Sequence, residues 1–347
     1  MTGALAGIRV LDTSSLAPGG YATLLLAEAG AEVIKVERPN GGDPARGMIE
    51  GVDLFTPLNR GKKSVVLDLK SKDGLAAFDR LVETADVVVE NYLPRNATRL
   101  GVVYERLRTV KPDIILCSVT GYDRGGPLGD QPGHDLNFLA RAGALGFLQP
   151  PGVPDAVPIL PVSDLQGGTA AAFAIATALV RRALTGAGDH VRIALTGALV
   201  HGWTSLGLAP EQQVWVGGDP ARAGYAIYPT ADGRRLAVAT EETRFWHGLC
   251  EMLGRPDLAD RDHMAADEDG IALRAEVAEL IAERSLAEWL ELAGDAVPVT
   301  EVADAAEARD AWAGPGGRRA LVDGTHPASP LAGDAPRLGE HDSPLLG

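Results

Sequence analysis

Short apolar runs alternate with stretches of helical spacing through the first half of the chain. Ile8–Leu11, Glu32–Val36, Ser64–Leu69, Asp86–Val89 and Ile114–Cys117 read as strands. Tyr21–Ala29, Asp73–Thr84 and Tyr104–Val110 read as helices, the second with Leu75, Phe78, Leu81 and Val82 recurring on one face. Strand–helix alternation predicts an α/β fold whose mostly parallel sheet is covered on both faces through right-handed crossovers. The pattern continues with an Ala-rich helix over Asp164–Arg182, a turn at Thr185–Gly188, a strand at Val191–Ala194 and a helix over Thr196–Leu208. Residues 1–215 thus read as the large domain. The style changes after Gly217–Gly218, read as a linker. Tyr225–Pro229 and Arg234–Ala239 flank TADG as a hairpin, and helices follow at Glu242–Leu253 and Leu273–Leu292. Residues 222–305 read as a smaller α+β domain, and 306–347, rich in Gly, Pro and Asp after Gly314, as a strap returning to the large one.

Composition narrows the function classes. With 46% hydrophobic and 23% charged residues the chain is globular, and 347 residues suit two domains. A net charge of −15 argues against a nucleic-acid partner or an anionic membrane surface. No apolar run is long enough for a membrane helix, and the start MTGALAGIRVLDTSS lacks signal-peptide features, so a cytoplasmic protein is expected. Cys117 and Cys250 are the only cysteines and stand far apart, which supports neither a disulfide nor a thiolate metal site; no metal is expected. The turn Ala17–Gly20 follows the first strand without GxGxxG spacing, so no nicotinamide or flavin is called for.

Local charge carries more. Between Lys35 and Lys72 eight cationic residues face five acidic ones, a positive island in an acidic chain. It fits either a ligand bearing phosphates or a solvated face. His134 sits at a helix entrance, where an imidazole is a structural cap or a proton carrier. Asp135 beside it reads as a helix cap. Asp164 opens the Ala-rich helix, either as an N-cap or as a carboxyl group among N–H donors able to hold an oxyanion. Gly167 and Gly168 weaken that helix start, which predicts close backbone approach there.

The segments GIRVLD, LAEAGAEVIKVERP, GGDPAR, LNRGKKSVVLDLKS, ADVVVENYLP, RLGV, VTGY and ADGRRLAVA together resemble the family III CoA-transferases. That superfamily includes formyl-CoA transferase, carnitine CoA-transferase and α-methylacyl-CoA racemase. The resemblance runs from Leu5 to about Leu253, with an echo in Val297–Ala303. It implies a Rossmann-like large domain, a small domain and an interlocked homodimer. It implies that Arg38, Arg60, Lys62 and Lys63 hold coenzyme A, with Arg95 standing near Leu93 where the family usually has Arg. Coenzyme A is then part of an acyl-CoA substrate, with no tightly bound cofactor. Asp164 falls at the transferase nucleophile, which is an acid/base in the racemase. The motif GHDLNF looks like the racemase's His134–Asp135 pair, and Glu242 matches a racemase glutamate that bonds the histidine. The expected function is therefore an isomerase: a racemase inverting the α-carbon of a 2-methylacyl-CoA by two-base proton transfer between His134 and Asp164. The Asp164 and Leu165 N–H groups would hold the enolate oxygen. The alternatives are a CoA-transferase using Asp164 as nucleophile, or a scaffold relative with another enolate reaction or a non-CoA substrate.

Overall fold

Apolar residues recurring on both faces of each early strand demand a sheet buried on both sides, and the chain builds one. The computed structural model describes residues 3–148, 157–207, 221–313 and 334–346. Six parallel strands, β1 (Arg9–Asp12), β2 (Glu32–Glu37), β3 (Lys63–Val66), β4 (Val87–Glu90), β5 (Ile115–Thr120) and β6 (Asp189–Ala194), lie in the order β3-β2-β1-β4-β5-β6. This doubly wound order reverses direction between β1 and β4, which opens a crevice at the carboxyl ends of those two strands.

Alternation sorts the strand residues onto two cores. Val10, Val33, Val87, Val89, Ile115 and Cys117 pack on one face beneath the helices Ala17–Glu28 and Val162–Thr185. Leu11, Ile34, Val65, Val88 and Leu116 pack on the other against Lys72–Glu83 and Tyr104–Val110. The tail from residue 334 joins this unit at the β3 edge. Ser64 O accepts from His341 N–H at 2.9 Å, and Val66 N–H donates to Asp342 Oδ1 at 2.7 Å.

Among the described residues, 3–148, 157–206 and 334–346 form one compact unit, and 221–313 a second. The second holds an antiparallel sheet in which β8 (Arg235–Ala239) lies between β7 (Tyr225–Pro229) and β9 (Val299–Glu301). Trp246, Trp289 and Tyr228 fill its core. The linker expected at Gly217–Gly218 and the start of the strap after Gly314 lie outside the described residues. No helix among the described residues is long and apolar enough to cross a membrane.

Two elements differ from expectation. Ala17–Gly20 is not a turn but the first turn of a helix, with Pro in its opening positions, where a missing N–H costs nothing. The helix expected over Leu273–Leu292 is two, Glu268–Ile281 and Leu286–Ala293. Ser285 starts the second through a capping box with Glu288.

Candidate active site

Two adjoining cavities lie along the crevice, and Ser15 and Tyr92 stand in the wall of both. Lys35, Ser14 and Asp43 in the wall of the outer one belong to a buried ionic knot. Asp12, at the end of β1, accepts from Ser14 N–H at 3.0 Å and Thr23 Oγ1 at 2.7 Å, and pairs with Lys62 at 3.0 Å and Lys35 at 3.4 Å. Lys35 also reaches Ser14 O at 2.6 Å and Asp43 at 3.1 Å. Burial works against the Asp12 carboxylate, but the two ammonium groups hold it below the usual range. The knot fixes the loop after β1, where Leu16 is held at φ 61° with its N–H shared by both Asp43 oxygens at 3.3 Å. Such a backbone costs a non-glycine residue roughly 1–3 kcal/mol and persists only because its surroundings impose it.

The outer cavity, about 590 Å³, runs over the ends of β2 and β3. Arg38, Lys70 and Arg99 line it and are exposed to solvent. Of the five residues expected to grip coenzyme A, only Arg38 is among its walls. Lys62 turns inward, bonded to Asp12, Gly20 O, Thr23 and Asn59. Arg60 pairs with Glu28 at 2.6 Å, Lys63 pairs with Glu32, and Arg95 is exposed on the helix Pro94–Arg99. Lys70 and Arg99, not singled out from the sequence, stand in that wall; both sit inside resemblance segments, LDLKS and RLGV.

The inner cavity, about 540 Å³, is bounded by Leu16, Leu93, Tyr122, Phe138 and Leu195, and both His134 and Asp164 line it. His134 is exposed at the start of the helix Asp135–Arg141, its N–H donating to Asn137 Oδ1 at 3.0 Å. Asp135 does not cap its own helix. Its carboxylate accepts from Ser163 N–H at 2.8 Å, Asp164 N–H at 3.1 Å and the Ser163 hydroxyl, and so caps the Val162–Thr185 helix from outside. The oxyanion site expected at the Asp164 and Leu165 N–H groups is therefore absent. Asp135 takes the first, and Pro161 O takes the second at 3.1 Å.

Asp164 has no cap role of its own and faces the cavity. Burial, reinforced by the Asp135 charge, raises its carboxyl to about 7. Gly167 and Gly168 follow in the same helix, where a side chain at Gly167 would collide with Leu195. A side chain at Gly168 would lie 2.8 Å from Pro18 O, so the close approach is between this helix and Ala17–Glu28. One wall, the loop Gly121–His134, is anchored where Arg124 pairs with Glu90. Burial raises the Glu90 carboxyl, which also accepts from Tyr92 N–H at 2.7 Å. Glu242 stands exposed before the helix Thr243–Met252 of the second unit.

The sequence profile of CoA-transferase family III matches residues 5–341. The succinate–glutarate CoA-transferase of Agrobacterium fabrum is 34% identical over 306 residues, 81% of this chain and 74% of that protein. The acetyl-CoA:oxalate CoA-transferase of Acetobacter aceti is 33% identical over 322 residues, 87% of this chain and 81% of the other. Among solved structures, a hypothetical protein from Mycobacterium tuberculosis matches with a TM-score of 0.83 at 28% identity, covering 99% of both chains. A CaiB/BaiF family protein from Brucella suis matches at 0.82 and 26% identity, again over 99% of both. These relatives overturn the isomerase expected from His134, Asp164 and Glu242. Transferase names attach to similar chains, and a histidine beside the cavity does not by itself make a racemase.

Proposed function

The chain belongs to CoA-transferase family III, and on that footing we propose that it moves coenzyme A between two carboxylic acids with Asp164 as the covalent relay. The observation that carries this is a raised-pKa carboxyl in the wall of a cavity that adjoins a cation-lined one across Ser15 and Tyr92. A carboxylate of higher pKa is the stronger nucleophile once ionised, and one near 7 is ionised at neutral pH in a large fraction of molecules.

The nucleotide end of an acyl-CoA lies in the outer cavity, its phosphates against Arg38, Lys70 and Arg99, and its thioester passes Ser15 and Tyr92 to Asp164. The Asp164 carboxylate attacks the thioester carbonyl and expels the thiolate, which leaves a mixed anhydride. The thiolate then attacks the Asp164 carbonyl, forming an aspartyl thioester and releasing the first acid. The second acid's carboxylate repeats the sequence in reverse and departs as the new thioester, with Asp164 restored. No oxidant and no net proton is required. The developing oxyanion falls to side-chain donors of the wall, His134 among them, and Asp135 positions Asp164 by anchoring its helix.

A homodimer belongs to the same proposal. Phe173, Val180 and Leu184 stand 71%, 62% and 82% exposed along one stripe of the Val162–Thr185 helix, a surface suited to a second copy. Light scattering at twice the chain mass supports it; a monomer at micromolar concentration removes it. For the chemistry, the protein is incubated with an acyl-CoA and hydroxylamine and its peptides are weighed. A hydroxamate at Asp164, dependent on the thioester and lost in Asp164→Asn, is expected. No adduct with any thioester, and no movement of coenzyme A to a second acid, refutes the reading.

A further inference from the structure

We propose that the acids exchanged are monocarboxylic, their acyl groups carrying no second charge; this rests on the transfer reaction above. The inner cavity is the observation. No lysine or arginine is among its described lining residues, and Asp164 is the acid there. Asp135, bonded to the Asp164 N–H at 3.1 Å, adds a second carboxylate behind it. The remaining walls are apolar, with Leu16, Leu93 and Leu195, or polar, His134 among them. A carboxylate at the far end of an acyl chain would lose its water beside leucines, with the Asp135 carboxylate behind Asp164 adding charge of its own sign. Cations are not scarce nearby, but they serve other groups. Arg38, Lys70 and Arg99 line the outer cavity. Arg124, on the loop that walls the inner one, is bound to Glu90 and to Tyr92 O at 3.2 Å. The names succinate–glutarate and oxalate in the relatives describe acids with two carboxylates. This chain offers the second carboxylate no counter-charge among the described lining residues.

The test is isotope exchange, in which each labelled acid is mixed with its own CoA thioester and label entering the thioester is followed. The acid is then the same on both sides, so no donor preference intrudes. For butyrate and isobutyrate, kcat/KM is expected to exceed that for succinate, glutarate or oxalate by about 100-fold or more. Leu93→Arg, or Leu93→Lys should the first not fold, introduces a cation into the wall and is expected to narrow that ratio by about tenfold. Succinate or glutarate exchanging as fast as butyrate overturns the inference while leaving the transferase reading intact. A ratio unmoved by the folded Leu93 variant overturns it too. Silence with every acid and thioester refutes the transferase reading itself, and the inference with it.

Discussion

Replacing Asp164 by Asn tests whether the site stores instability. An aspartate titrates near 3.8 in the unfolded chain and at about 7 in this fold. Between those values the folded state keeps a proton that the unfolded state has released. Stability from this group therefore falls as pH rises through the window, and the loss is complete above about pH 7. From pH 5 to pH 8.5 the cost grows over about two pH units, or about 2–3 kcal/mol at 1.36 kcal/mol per unit. Asp164→Asn cannot ionise and escapes this cost. Its urea midpoint should gain on the parent as pH rises, opening a difference of about 2–3 kcal/mol between pH 5 and 8.5, while transfer is abolished. The parent's kcat/KM should climb with an apparent pKa near 7, as the nucleophile ionises. A stability difference that stays flat across this range shows that burial and Asp135 do not act on Asp164 as argued.

Asp135→Asn removes the secondary cause of the shift but not burial, so the acid limb of the rate profile should move down while staying above the ordinary carboxylate range; an unmoved limb denies the coupling. Arg99→Ala and Lys70→Ala should each raise KM for an acyl-CoA about tenfold with kcat unchanged. Lys63→Ala, whose parent side chain pairs with Glu32, should leave KM as it was; the reverse ranking in a saturation assay contradicts the cavity assignment. Lys62→Met leaves Asp12 and its hydroxyl partners in a dry interior with one cation fewer, and denaturation should report a loss of about 3–5 kcal/mol.

Much of the architecture is legible from periodicity, because a strand buried on both faces and an amphipathic crossover helix leave different spacings in the chain. Its failures are local. Ala17–Gly20 reads as a turn on propensity, yet Gly19 and Gly20 are buried and helical, and a side chain at Gly19 would collide with Ser14. Ser285 interrupts a helical pattern that carries no Gly or Pro to announce the break. Adjacent lysines misled in another way. Lys62 dives to Asp12 while Lys63 stays at the surface with Glu32, and a charge count is blind to which neighbour faces inward. The linked roles of Asp135 and Asp164 were also hidden. Each is a plausible cap on its own, and only the folded chain brings the carboxylate of one to the N–H of the other across 29 positions.

The docking of the tail on β3 bears on how the molecule is made. Ser64 and Val66 find their outer hydrogen-bond partners in His341 and Asp342, residues that follow the whole second unit in sequence. A ribosome that has just finished the second unit thus still carries a nascent sheet with one unsatisfied margin, open to pairing with a neighbouring chain. Completion of the first unit waits on residues synthesised after the whole second unit, and a chain stopped before His341 would yield a sticky product although every described residue lining the two cavities had been translated.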